Sequence, residues 1–158
     1  MKKVTTLLAA LALASVAFVG PATAATVAGV DVSDLNVSVT TTDGSDAAVS
    51  IGGTTPISLA GVDFGLELAL GVNGNDILSD VNVSYDAFTF GEATVFVTGG
   101  VGFNLVDKDT LGVDVRVGPG VSYAFPGGKS LFVTYTVGYD FDREDNDTQL
   151  RVGLSLKF

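Results

Sequence analysis

The last ten residues of the chain set the tightest limit on its fold. Leu150, Val152, Leu154, Leu156 and Phe158 alternate with Gln149, Arg151, Gly153, Ser155 and Lys157. Successive side chains of a β-strand point to opposite faces, so this segment presents one wholly apolar surface and one surface of polar residues and glycine. The same two-residue period recurs upstream. Leu131, Val133, Tyr135, Val137, Tyr139 and Phe141 form one apolar row; Leu111, Val113, Val115, Val117, Val121, Tyr123 and Phe125 form another, interrupted only by Pro119. Further rows are Val95, Val97, Val101, Phe103 and Leu105, and Val62, Phe64, Leu66, Leu68, Leu70 and Val72. Val81, Val83 and Tyr85 lead into Phe88 and Phe90 with a change of phase near Ala87, which predicts a β-bulge there. Two weaker strands precede these. One contains Leu35, Val37 and Val39 and begins as early as Val27; the other is short and contains Val49 and Ile51. Six clear strands and two weak ones, joined by short connections, describe an up-and-down antiparallel meander.

The first 24 residues follow a different pattern. Lys2 and Lys3 form a positive start, Leu7 to Val19 an apolar stretch, and Gly20-Pro21 a break before Ala22-Thr23-Ala24. That is the layout of a secretory signal peptide cleaved after Ala24. The apolar stretch is shorter than the ~20 residues a spanning helix requires. The mature chain is then 25–158, and loss of the two lysines takes the net charge from −10 to −12.

The connections are of two kinds. Those near Gly52 to Pro56, at Gly91 and at Pro126-Gly127-Gly128 are tight and nearly uncharged. The alternate ones carry acid: Asp43 and Asp46; Asp76 and Asp80; Asp107 and Asp109; Glu144, Asp145 and Asp147. In a meander each kind gathers at one end, and with both termini in the periplasm the acidic set faces outside.

Whether the apolar rows face a core or a membrane is decided by three features. Soluble domains hold about a quarter charged residues, and this chain has 16%, too few to cover an outer surface. The long rows match the ~9–11 tilted residues of a membrane-spanning strand. Aromatic residues fall at strand ends: Tyr85, Phe88, Phe90, Tyr123, Phe125 and Phe158 at one end and Phe103, Tyr139 and Phe141 at the other. Such girdles sit at the two lipid headgroup layers. A closed barrel is then the fold that satisfies every backbone polar group in lipid. The expectation is an all-β, up-and-down antiparallel transmembrane β-barrel of about eight strands spanning 25–158. The alternative is a soluble periplasmic barrel with the apolar rows inside around an apolar ligand.

The terminal Phe158 preceded by Leu154 and Leu156 on one face resembles the C-terminal signal by which bacterial outer-membrane proteins are recognised by their assembly machinery. The whole pattern resembles the small OmpA/OmpX/opacity-type barrels. That resemblance implies the outer membrane of a Gram-negative cell, with lipid and lipopolysaccharide as surroundings and the assembly machinery as a partner. The outer loops are far shorter here than in adhesive members of that group.

Eight strands enclose an interior only wide enough for side chains. A turn centred on Gly127-Gly128 sets Arg116 against Asp140, and a symmetric last loop sets Asp140 against Arg151, with Asp114 and Asp142 close by. These five residues are the expected lumen charge network, read as a structural filler because confined charges must be paired. The expected function is a structural, monomeric barrel with a non-conducting lumen; a narrow pore for ions or small solutes is the alternative.

Other chemistry finds little support. The chain has neither histidine nor cysteine, so it lacks the commonest general base and the usual zinc and copper ligands. Catalytic, metal and cofactor residues are therefore expected to be none. Ser155 with Lys157, and Lys129 with Ser130, have no supporting context for Ser-Lys catalysis. The stretch from Asp140 has Asp145 and Arg151 where a calcium loop needs Gly and Glu. Gly100-Val101-Gly102 lacks the third glycine of a dinucleotide fingerprint. An acidic chain does not bind nucleic acid, whose phosphates need Lys and Arg.

Overall fold

The structure, a computed structural model, describes residues 25–27, 30–44, 46–74, 76–106 and 110–157. The expected signal peptide, the loop acids Asp107 and Asp109, and Phe158 of the C-terminal signal lie outside the described residues. Among the described residues the chain forms β1 (Ala25–Val27), β2 (Val30–Val32), β3 (Asp34–Thr42), β4 (Asp46–Leu59), β5 (Val62–Asn73), β6 (Asp76–Phe90), β7 (Ala93–Val106), β8 (Thr110–Phe125), β9 (Lys129–Asp140) and β10 (Asp145–Lys157). Strands β3 to β10 pair in sequence order and close through β10 with β3 into an eight-stranded antiparallel barrel. The rows of alternating residues therefore become the wall of an up-and-down barrel. Val27 does not extend the first wall strand: β1 and β2 pair with each other in a separate hairpin.

The wall is inverted relative to a soluble domain. Exposed large apolar side chains run around the outside, among them Ile51, Leu70, Val97, Val117 and Val137. The buried side chains include the polar Asn36, Ser38, Ser50, Asn82, Thr134, Thr136 and Gln149. This outward placement removes the reading of an apolar interior. Tyr85, Phe88, Phe90, Tyr123 and Phe125 lie exposed toward the end where β3 starts and β10 stops, here the terminal end. Phe103, Tyr139 and Phe141 lie exposed toward the other, acidic end. Tyr123 and Phe125 meet edge-on at 5.1 Å, as do Tyr139 and Phe141 at 5.2 Å.

The β6–β7 ladder shifts between Asp86 and Phe88, so the bulge sits at Ala87, where the alternation changes phase. The β4–β5 turn differs from its expected place. Gly52 to Pro56 do not end a short strand; they lie inside the 14-residue β4, and the turn is Ala60-Gly61, both with positive φ. The proline is tolerated for a specific reason. The Thr54 carbonyl accepts from Ser33 N at 2.8 Å, so Thr54 directs its backbone groups toward β3. Pro56 has the same parity but lies past the last β3–β4 pair, Asp34 with Thr54, so its missing N–H has no ladder partner to lose. Pro119 does interrupt a ladder: β8 and β9 pair through Val117 with Val137 and resume at Gly120 with Thr134.

Candidate functional site in the barrel lumen

Strand parity sends the polar rows inward, and the register then decides which of them meet. Asp80, Gly102 and Asp114 are directly opposite one another on β6, β7 and β8. Arg116 stands two residues beyond Asp114 on the same face. Its guanidinium folds back over Gly102: Nε donates to Asp114 Oδ1 at 2.6 Å, Nη2 pairs with the same carboxylate, and Nη1 donates to Asp80 Oδ1 at 3.0 Å. Gly102 is required for this approach, because a Cβ there would fall on the Arg116 guanidinium and the Asp114 carboxylate.

A second pair spans the lumen. Arg151 on β10 reaches past β3 and β4 to Glu67 on β5, with Nη1 and Nη2 each 2.7 Å from a different carboxylate oxygen. This two-pronged geometry is the strongest arginine–carboxylate arrangement. Arg151 Nε donates to Ser38 Oγ at 2.7 Å, and Ser38 Oγ is 2.8 Å from Ser50 Oγ. Glu67 also accepts from Asn36 Nδ2 at 2.9 Å and Asn82 Nδ2 at 3.3 Å. Glu67, Asn82, Gly100 and Arg116 are successive register partners across four strands, so the two ion pairs occupy one belt of the wall.

Aromatic side chains fill the space that glycines leave. Phe96 faces Gly120 and Phe132 faces Gly153 as direct cross-strand partners, each ring lying where a Cβ would otherwise project. The Arg151 guanidinium lies 5.2 Å from the centre of the Phe132 ring, a cation–π distance. From the charge belt a cavity of about 480 Å³ extends to the terminal end, where Asp34, Asp63, Asp86 and Lys157 line it.

The site therefore differs from the expected network in two of its five members. Arg116, Asp114 and Arg151 are in it; Asp140 and Asp142 are not, and the expected Arg116–Asp140–Arg151 bridge does not form. Arg116 is opposite Gly138, and Arg151 is opposite Thr134 and Thr40. Asp140 instead accepts from the backbone N of Asp142 at 2.8 Å and of Arg143 at 3.1 Å, and lies 3.6 Å from Arg143 Nε. It caps the turn in which the exposed Asp142 sits. The reason is the position of the turns. The β8–β9 turn holds three residues, Pro126 to Gly128, which moves every partner by one lumenal step. The last turn is 141–144, and Asp145 and Asp147 belong to β10 rather than to a loop.

The partners missing from the expected site are Glu67 and Asp80. Asp80 stood among the loop acids but lies inside β6. Both have lumen parity, which was visible; the pairing of Glu67 with a residue 84 positions away was not. The inward Phe96 and Phe132 carried a legible signal, since each is an aromatic on an otherwise polar row.

No protein-family model matches the chain, and no curated protein matches it in sequence. Solved structures do match. The N-terminal β-barrel domain of Pseudomonas aeruginosa OprF is similar with a TM-score of 0.60 and 15% identity over 79% of this chain and 96% of that one. A de novo designed transmembrane β-barrel gives 0.54 and 19% over 79% and 93%. The outer membrane enzyme PagL gives 0.54 and 13% over 79% and 99%. The fold is thus that of small transmembrane β-barrels, outer-membrane proteins among them.

Proposed function

We propose that this protein is a structural outer-membrane β-barrel of a Gram-negative envelope, exported by cleavage after Ala24 and closed to solutes by its lumenal charge belt. The belt carries this reading. Two guanidiniums and three carboxylates cross a lumen already narrowed by Phe96 and Phe132, and each arginine is held by at least two protein partners. In this reading the apolar outer rows contact lipid and the aromatic residues meet its headgroups. The acidic end faces outside toward lipopolysaccharide, and Leu154, Leu156 and Phe158 engage the assembly machinery. The barrel acts as a monomer and performs no catalysis, in keeping with a chain that has no histidine or cysteine.

The test is conductance in planar lipid bilayers. The wild-type barrel is expected to show none, and Glu67→Ala/Arg116→Ala/Arg151→Ala to conduct. Steady conductance by the wild type overturns the closed reading. It establishes instead the narrow pore, which the cavity between the belt and the terminal end favours.

A further inference from the structure

One sector of the outer wall does not behave as a lipid-facing surface. Many outward apolar residues of β5 to β9 are widely exposed, as Leu70 (61%) and Val97 (46%) illustrate. Toward the terminal end of β3 and β10, however, Val37 is 3% exposed and Leu156 is 6% exposed, although both have outward parity; Leu150 and Val152, farther along β10, are exposed. Among the described residues, the outward rows of β10, β3 and β4 also contain no aromatic side chain, whereas each of β5 to β9 contains at least one. This sector is the seam where the first and last wall strands meet.

The segment leading into β3 lies beside it, against β4. Val32 is buried, and its methyl groups cover Gly53, which shares the outward parity of Val49 and Ile51. A Cβ on Gly53 would stand 2.7 Å from Val32 Cγ1, so the glycine is what admits the valine. The next residue, Ser33, is tied down: its N–H donates to the Thr54 carbonyl at 2.8 Å, with Oγ 2.9 Å from the same oxygen. Lipid would need neither a glycine hollow nor a hydrogen-bonded approach.

We infer that Val30–Ser33 is a strap that packs on the outer face of β4 at Gly53 and takes the place of lipid there, beside the terminal end of the β10–β3 seam. The strap occupies the outside of the wall, so it is independent of whether the lumen conducts. Its role is to hold the start of β3 where the barrel must close on its last strand.

The experiment uses the full barrel carrying Val32→Cys and Gly53→Cys. The Cβ of Val32 is 3.5 Å from a Cβ built on Gly53, within the range of a disulfide, and the chain has no other cysteine. The pair is expected to oxidise in the folded barrel, read by intact mass and by thiol labelling after unfolding. A Val32→Cys/Val97→Cys control, three strands away, is expected to stay reduced. The second arm is Gly53→Leu. On a lipid-facing site leucine is well tolerated; under a strap it expels Val32. Its heat-induced shift in gel mobility is then expected at a lower temperature, matching a barrel that begins at Ser33. A folded double-cysteine barrel with both thiols free overturns the inference, and so does a Gly53→Leu barrel as heat-resistant as the parent. If the cysteine pair does not fold, the leucine variant decides.

Discussion

Replacing Glu67 with leucine should be among the most destabilising single changes in the lumen, and the structure gives the size. The Glu67 and Arg151 side chains are each 14% exposed. Removing the carboxylate strands two guanidinium donors at once and takes the acceptor from Asn36 and Asn82. Breaking a buried pair by deleting one partner costs about 3–5 kcal/mol, because the remaining charge stays buried. Water in the adjoining cavity can reach Arg151, and Ser38 and Phe132 still hold it. The lower figure, about 3 kcal/mol, therefore applies, roughly a hundredfold in the folding equilibrium. Glu67→Gln keeps an acceptor and loses the charge, so it should fall between wild type and leucine. The decisive variant is Glu67→Leu/Arg151→Leu, which removes both charges and should return to within about 1 kcal/mol of wild type, since a buried pair is worth little over apolar filling. The assay is equilibrium unfolding in urea of barrels refolded into phospholipid vesicles, with all four corners of the cycle. A single-mutant cost below about 1 kcal/mol, or a double mutant that costs the sum of the singles, refutes the claim that the two residues act as one buried unit.

Three further outcomes are expected. Val97→Arg, in the outward row of β7, should cost about 2–4 kcal/mol in the same vesicle assay while Val97→Leu stays neutral; equal tolerance of both would mean that this face does not meet lipid. Gly100→Ala should cost about 1–3 kcal/mol, because the new Cβ meets the Val81 carbonyl and Asn82 backbone. Gly99→Ala, whose nearest neighbour is 3.4 Å away, should fold like wild type, and comparable yields of heat-modifiable barrel for the two would contradict the crowded lumen. Asp140→Ala should cost only about 1 kcal/mol, the worth of its turn hydrogen bonds, and should leave conductance unchanged; a new conductance would return Asp140 to the lumen.

What the sequence made legible follows from parity. Alternation assigns a face without reference to any other strand, so the wall rows, the exposed aromatics and the bulge at Ala87 could be read locally. Contacts between strands require the register, which depends on where each turn is centred. Gly52, Gly53 and Pro56 have turn composition but occupy a strand: Gly52 because its Cβ would strike the Leu68 carbonyl and Ala69, Gly53 because Val32 covers it, Pro56 because β3 has ended. Asp145 and Asp147 likewise have loop composition but pair in β10. Moving the last turn to 141–144 was enough to take Asp140 away from Arg151, which faces Thr134 on β9 instead.

That sensitivity points to what the belt does for the fold. Between the aromatic ends the outward rows are mostly valine and leucine, so a two-residue slip between neighbouring strands keeps every side chain on its proper face and changes little there. The lumen does not tolerate such a slip. Shifting β9 against β10 by two residues sets Phe132 opposite Arg151 or Ser155 instead of Gly153, and the ring loses its space. Shifting β7 against β8 replaces Gly102 beneath Arg116 with Gly100 or Asn104 and moves Asp80 away from the guanidinium. The apolar face selects the barrel, and the inward glycines, two phenylalanines and five charged groups select one register of it. The lumenal groups held in these contacts are committed to one another, and the belt they form fixes the register of the wall.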